Sequence, residues 1–520
     1  MAEESEGIAR SAGVLAMGSI LSRLLGILRV TIIADYFGAS GAASAFEVAT
    51  RVPTMIYDFL ISGMLTGALV PVLSEYAERR DELWRLASVL LTIVALIMGA
   101  IVLLLELLAP AVAWVMAGGF PPELLATTTR LIRLVLPVAA ILGLSGVAAG
   151  VLYSLKRFTY PALAAGLYNL GVVIAAPLLA GRLDVYSLAI GVLAGAALQL
   201  AVQLFGLRRG RLRPRLDFSH PALRRIVTLY LPIAAGLVIS QLQIVLDRRL
   251  ASGTGEESIA RMANATQIIQ FPHGLVAVAI SMAVLPSLSR LSAQANWEQY
   301  RRTLAAGLRL VIVLIVPAIV GLYILGRPLI QLIFEHGRFT PTDTAWVTLA
   351  LYGYLIGLLF ASIDWPLNYA FYARQDTVTP TLVGLFSVLV YLGVALALLK
   401  PLGMIGLVLA DSAKQASHAL SMILLLRRRV GPLHGGFART GAKTLLASAG
   451  MGFAVWGVWR LQGDYLGLPA GLISKVVAVG LPALAGALVY LALALLLRVG
   501  DLSDLGAALR RRLGHLGRPC

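Results

Sequence analysis

The sequence predicts an all-α polytopic membrane protein, and three observations predict it. First, 59% of its 520 residues are hydrophobic and only 13% are charged, with a mean hydropathy of +0.85. So few charges cannot cover the surface of a soluble protein of this length. Second, apolar runs recur at the ~20-residue length an α-helix needs to cross the hydrocarbon core, whereas barrel strands would be short and alternating. Third, the chain repeats itself. LVPVLSEYA at 69–77 matches VLPSLSRLS at 284–292, and LYSLKRFTYP at 152–161 matches FYARQDTVTP at 371–380. Pro71 thereby pairs with Pro286 and Pro161 with Pro380, at offsets of roughly 215–220 residues.

In order, the apolar segments run at about 8–35, 45–74, 86–116, 123–153, 161–181, 186–207, 222–251, 258–289, 303–326, 342–372, 380–399, 403–426, 441–461 and 470–498. This gives about fourteen transmembrane helices, as two parallel six-helix repeats around a central cavity plus two C-terminal helices. Residues 1–215 are expected to form an N-terminal six-helix bundle and 216–430 a C-terminal one. Residues 431–500 supply two additional helices, and 501–520 a cytoplasmic amphipathic tail. An even number of helices per repeat keeps the copies parallel, which suits alternating access by rocking one bundle against the other. Pro53, Pro137, Pro232, Pro272, Pro317 and Pro366 lie inside apolar segments, where each removes a backbone donor and can kink its helix.

The net charge of +17 invites a nucleic-acid partner, but its distribution argues against one. The cations gather in short loops on alternate sides of the apolar runs, chiefly at 79–85, 156–157, 208–215, 290–302 and 427–429. That asymmetry places both termini in the cytoplasm. The 208–215 cluster can also attract anionic headgroups. Cys520 is the single cysteine, so no internal disulfide is available. Met1–Gly7 is acidic and the first apolar run is too long for a signal-peptide core, so no cleavable signal is expected.

Two arginines sit where lipid should be. Arg23 and Arg29 interrupt the first apolar segment, and Glu47, Arg51 and Asp58 interrupt the second. A cation near the bilayer centre costs at least ~3 kcal/mol on insertion scales, so such residues face a protein interior or a water-filled cavity. The first two helices therefore propose a cationic cavity.

The motifs around these residues are specific. They are SRLLGILR at 22–29, FGASGAASAFEVATRVP at 37–53, GALVPVLSEY at 67–76, FPHGLVAVAISMAVLPSLS at 271–289, LIFEHGRFT at 332–340 and FYARQDTVTP at 371–380. Together they resemble the MurJ (MviN) family of lipid II flippases, in the multidrug/oligosaccharidyl-lipid/polysaccharide exporter superfamily. The resemblance covers nearly the whole chain. It implies a non-enzymatic transporter of the bacterial inner membrane that moves the undecaprenyl-diphosphate-linked peptidoglycan precursor from inner to outer leaflet, for cell wall biogenesis and cell shape. Arg23 and Arg29 match the first-helix arginines that line the family's cavity. They would engage the diphosphate through charge-assisted contacts, with Ser22 adding a hydrogen bond and Arg51 a weaker third cation. The partners implied are the lipid-linked precursor, membrane lipids and envelope-synthesis enzymes.

The chain also departs from the family. Tyr57 stands where the second helix usually has an arginine, and Gln267 where the eighth does. Ser44 and Ser62 replace acidic residues. Arg248, Arg249 and Arg261 are candidate replacements. The departures keep two other functions open. One is a flippase for another polyprenyl-diphosphate-linked glycan, or a small-molecule exporter of the same superfamily. The other is a membrane scaffold for envelope synthesis that transports nothing.

Some of the family couple transport to sodium or membrane potential, which makes Asp247 and Asp411 candidate ion ligands. A hard cation would need further oxygens beside two carboxylates. The plainer reading pairs Asp247 with Arg248 or Arg249, and Asp411 with Lys414 at helical spacing. Asp364, beside Trp365 and Pro366, is a further intramembrane carboxylate that either relays protons or satisfies a helix kink. His273 is a lone histidine, and such residues are more often structural. No cofactor is expected. The nearest approach to a phosphate-binding loop, GFARTGAKT at 436–444, fails the Walker pattern and follows no strand. No nucleophile–base pair, metal-ligand motif or acidic glycosyltransferase cluster occurs in the loops.

Overall fold

The computed structural model describes residues 2–433, 435–465 and 471–499, so the tail expected at 501–520 lies outside the described residues. All regular structure among them is helical. Ten helices are long and apolar enough to cross a membrane among the described residues. The other four expected segments, 45–74, 222–251, 403–426 and 441–461, are helical too but fall outside that ten. Two reasons are visible. The 45–74 segment is broken by π-helical turns at Asp58–Ser62 and Leu65–Leu69. The Met404–Val430 helix carries Asp411, Lys414, Gln415 and His418 within eight residues. Fourteen crossings are thus not reached on length and hydropathy.

Contacts divide the chain into two compact units, the first holding Met1–Ala260 and His336–Thr340. Its helix Ala2–Phe37 runs along Thr159–Leu183, which in turn packs on Tyr186–Leu207. Glycines set that last approach, because a Cβ on Gly171 would stand 2.2 Å from the Gly191 carbonyl oxygen. Small residues let membrane helices close in this way. The core of the unit joins Ile61, Leu69 and Leu73 to Leu86 and Leu90 of Arg80–Leu107 and to Val147 and Val151 of Pro137–Ser154. Helix Pro221–Ser252 belongs here as well, with the Ser252 hydroxyl accepting from the Gly119 amide at 3.0 Å. The repeat in sequence turns over at 215/216, whereas the contact boundary falls at 260/261.

The basic loop at 208–215 is strapped down. The Arg213 and Arg215 amides donate to the Ser88 and Thr92 hydroxyls at 3.1 and 3.0 Å. Arg85 pairs with Asp217 at 2.9 Å. The Ser219 hydroxyl and the Arg85 guanidinium hold the Asp217 carboxyl below the usual aspartate range.

The second unit holds Arg261–Glu335 and Pro341–Cys520. Pro341–Tyr372 packs closely on Met404–Val430, with the Ser412 hydroxyl donating to the Gly353 carbonyl at 2.7 Å. Phe437–Tyr465 and Leu472–Leu496 form their own apolar cluster on Trp297–Ile333, where the Tyr490 hydroxyl donates to the Val313 carbonyl at 2.5 Å. The apolar pair outside the repeat therefore has a docking place within the unit.

The repeat is visible in the backbone of the two units taken separately. Lys156 and Gln375 stand at equivalent positions and both adopt left-handed φ, 57° and 59°. The residues after them close the same turn, Arg157 amide to Leu152 carbonyl at 2.8 Å and Asp376 amide to Phe371 carbonyl at 3.0 Å. Asp184 and Gly403, again equivalent, have φ of 45° and 54°. Each repeat also breaks a helix with a π-turn soon after a proline, at Asp58–Ser62 and at His273–Ala277. Such turns are frequent at functional sites. In the second unit Asp376 caps helix Val378–Leu402, accepting from the Thr379 amide at 3.0 Å, and pairs with Arg429. Partial burial raises its carboxyl pKa, but the Thr379 amide and hydroxyl and Arg429 outweigh this and hold it below the usual range.

Candidate functional site

The first unit places the first-helix motif against Thr159–Leu183. One turn of that partner supplies Ala165, Tyr168 and Asn169. The Ser22 hydroxyl donates to the Ala165 carbonyl at 3.3 Å. Asn169 bridges the motif: its Nδ2 donates to the Ser22 carbonyl at 3.3 Å and its Oδ1 accepts from Arg29 Nη1 at 3.4 Å. The Arg29 guanidinium lies 5.7 Å from the Tyr168 ring centroid. Among the described residues no carboxylate pairs with it, and its Nε is buried without a hydrogen-bond partner. Arg29 thus keeps capacity to bind an anion while its orientation is set by neutral neighbours. Arg23 is exposed and has no hydrogen bond or ion pair among the described residues. Asn169 and Tyr168 were not singled out in the sequence. Their only signal was that the repeated segment 152–173 carries a polar pair inside an apolar run.

Helix Gly41–Tyr57 contributes a second group. Its N-cap Ser40 accepts from the Ala43 amide at 3.3 Å, and most of its residues are buried. Glu47, Arg51 and Asp58 occupy the half-buried stripe, because spacings of four and seven return to one helix face. Arg51 is within Coulombic range of Glu47 and Asp58 and of Asp247 and Arg248 on Pro221–Ser252. Tyr168 is within range of both Arg29 and Glu47, so the two groups adjoin. The expected cationic surface is therefore mixed in charge around Arg51, and Glu47 brings a carboxylate to the Tyr168 side of the Arg29 group.

The departures have structural roles. Ser44 is fully buried and accepts from the Ala260 amide at 3.1 Å. Tyr57 packs into the apolar core, its ring facing Gly146. Gln267 is half-buried in the second unit. The Ser62 side chain lies outside the described residues. Arg249 stacks 5.4 Å from the Trp114 ring centroid and Arg261 pairs with Asp343 at 2.9 Å. Of the two candidate ion ligands, Asp411 is held by Lys414 at 2.8 Å, and Asp247 is half-buried. They lie in different units. Asp364 accepts from Asn368 at 2.7 Å and meets His418 at 2.6 Å, and His273 meets Ser362 at 3.2 Å. No group of three or more His, Cys, Asp or Glu side chains suited to a metal occurs among the described residues.

The family model described as lipid II flippase MurJ matches residues 33–469. The chain belongs to the MurJ family. A probable lipid II flippase MurJ from Vibrio cholerae serotype O1 is 30% identical over 97% of this chain and 98% of its own length. The lipid II flippase MurJ of Burkholderia cenocepacia is 30% identical over 79% and 82%. In structure, a lipid II flippase MurJ in an inward closed conformation superposes with a TM-score of 0.76 at 22% identity, over 93% of this chain and 98% of that one. An inward-facing multidrug resistance MATE family transporter reaches 0.66 at 15% identity, over 79% and 95%. These two likenesses concern the fold. In this member of the MurJ family, Ser22, Arg29 and Asn169 are joined by hydrogen bonds within the first unit.

Proposed function

We propose that the protein is a lipid II flippase, carrying the undecaprenyl-diphosphate-linked peptidoglycan precursor from the inner to the outer leaflet of the bacterial inner membrane by alternating access. Both termini face the cytoplasm. The observation that carries the reading is family membership across 33–469 combined with Arg29, a partly buried guanidinium oriented by Asn169 and without a carboxylate partner among the described residues. A diphosphate supplies the anion this arginine lacks, and Arg23 adds a second, exposed cation. The undecaprenyl tail stays in lipid throughout. Energy comes from an ion gradient or the membrane potential. A sodium ion at Asp411 would have to displace the Lys414 ammonium.

The test is replacement in cells depleted of their own lipid II flippase, reading lipid II exposure on the outer leaflet. Wild type restores exposure, and Arg29→Ala lowers it by about tenfold or more, the scale of losing charge-assisted hydrogen bonds. A well-inserted wild type that restores nothing there and moves no lipid II as purified protein in vesicles overturns the reading.

A further inference from the structure

Two helix contacts stand at equivalent places in the two repeats, and their chemistry differs. In the first unit, Pro137–Ser154 meets Tyr186–Leu207 through neutral side chains: Gln199 Nε2 donates to the Ser145 hydroxyl at 2.7 Å, and Ser145 donates to Gln203 Oε1 at 2.6 Å. The register fixed by the turns at Lys156/Gln375 and Asp184/Gly403 carries Ser145 onto Asp364 and Gln199 onto His418. In the second unit that contact, between Pro341–Tyr372 and Met404–Val430, is His418 Nδ1 against Asp364 Oδ1 at 2.6 Å. An ionisable pair thus replaces a neutral one between the apolar span Pro341–Tyr372 and its partner helix, and intramembrane ionisable groups of this kind mark ion or proton paths.

The surroundings leave the pair able to exchange a proton. Asn368 Nδ2 donates to Asp364 Oδ2 at 2.7 Å and to the Asp364 carbonyl at 2.8 Å, so the carboxylate is oriented without being neutralised. Helix Val378–Leu402 turns Gly384 toward His418 Nε2, which has no hydrogen-bond partner among the described residues. The titratable groups of that helix are Tyr391 and Lys400. His273 of the π-turn is within Coulombic range of Asp364 and lies 6.1 Å from the Trp365 ring. Tyr372 is in range on the same helix, its ring edge-on to Tyr369. Trp297–Ile333 contributes Tyr300, whose hydroxyl is committed to the Ala370 carbonyl at 2.5 Å, and Val278–Ala293 carries only Arg290, near its end. On Met404–Val430 itself, Lys414 is committed to Asp411. None of these cations pairs with Asp364.

We propose that Asp364 and His418 form a proton-binding site that couples transport to a proton gradient. The proton enters at His418 Nε2 from water. The imidazolium it forms is stabilised by the Asp364 carboxylate, and its loss returns a neutral imidazole still bonded to that carboxylate. Pro366, two residues beyond Asp364, removes a helix donor and gives the element a place to bend with the charge state. The coupling half of this inference rests on the flippase reading, whereas the proton site does not.

Two measurements on the full purified chain test it. The first needs no cargo. In 15N-histidine NMR, the signals lost in His418→Gln are followed in wild type across about pH 5 to 8, and a site that takes up and releases a proton changes them. Signals that stay fixed across that range overturn the site. The second uses vesicles carrying fluorescent lipid II, with the membrane potential clamped. One coupled proton under a one-unit pH gradient shifts the transport equilibrium by up to about tenfold. The double variant Asp364→Ser with His418→Gln installs the neutral pair that the first unit already accommodates. Its ratio of transport with and without the gradient falls to about one. A double variant with the wild-type ratio overturns the coupling. If wild type moves no lipid II while His418 titrates, the flippase reading fails and the proton site stands. If the double variant moves none, the His418 titration decides.

Discussion

The Arg338 amide donates to the Asp35 carbonyl at 2.8 Å, which ties His336–Thr340 to the end of the first helix within one compact unit. Two glycines permit it. Gly38 and Gly337 have φ of +64° and +51°, and a Cβ on Gly337 would stand 2.1 Å from the Asp35 carbonyl oxygen. Gly337→Ala therefore suffers both left-handed strain and a clash with backbone. It lowers stability by about 1–3 kcal/mol, read as a drop in thermal midpoint of the purified protein. Gly99→Ala, where nothing lies within 4 Å, leaves the midpoint near that of wild type or raises it.

Arg29 and Asn169 divide binding from positioning. Arg29→Lys keeps the charge but loses the planar fork, and lowers lipid II transport in vesicles by about tenfold. Asn169→Leu removes the bridge between Ser22 and Arg29 while leaving the guanidinium. It raises the lipid II concentration needed for half-maximal transport by a few-fold. An Asn169→Leu protein with unchanged concentration dependence would show that Arg29 is oriented by something else.

Asp376 makes stability depend on pH with a defined sign. Its carboxyl is held below the ordinary aspartate range, so the folded state binds its proton less readily than the unfolded chain. The contribution is complete above the unfolded value and is lost as pH falls through the folded one. From about pH 6 to about pH 3 the wild-type thermal midpoint falls more steeply than that of Asp376→Asn, which keeps a capping side chain but cannot titrate. Parallel curves would remove Asp376 from the acid limb.

The basic loop gives a prediction about access. Ser88→Ala with Thr92→Val removes the acceptors of the Arg213 and Arg215 amides. Each bond is worth about 1 kcal/mol, so tryptic cleavage at 208–215 accelerates by about tenfold or more. Equal rates would mean that Arg85–Asp217 alone secures the loop.

Much of the fold was legible because membrane burial writes itself into long apolar runs, and because the repeat displays each turn twice. The site was legible only in part. Arg23, Arg29 and Ser22 stood out as polar residues in lipid-length segments. Asn169 did not, since a single polar residue reveals its partner only when another helix is laid beside it. The same holds for Asp364 and His418, which are 54 positions apart and meet across two helices. Helix Pro221–Ser252 follows the repeat in sequence but packs with the first unit, because contacts with Ala109–Ala117 and the π-turns, rather than its ancestry, decide its neighbours. Asp411 illustrates the opposite case: its pairing with Lys414 is local, and helical spacing alone anticipates it.

Tyr57 decides whether the missing arginine of the second helix is a loss of function or a change of role. Its ring packs against the core of the first unit, as do Ile56, Leu60 and Leu65, and lies beside Ile61 near Gly146. Tyr57→Arg restores the residue type expected from relatives, but sets a guanidinium against that apolar cluster. The cost is about 1–3 kcal/mol for a buried polar group without partners, offset only so far as Asp58 turns toward it. Tyr57→Arg therefore lowers the thermal midpoint and does not raise lipid II transport. The conservative variant, Tyr57→Phe, keeps both the packing and the transport of wild type, because it is the ring that packs against the core. A Tyr57→Arg protein that is as stable as wild type and transports faster would show that the second helix presents this position to the cargo, and that this chain had given up a contact its relatives keep.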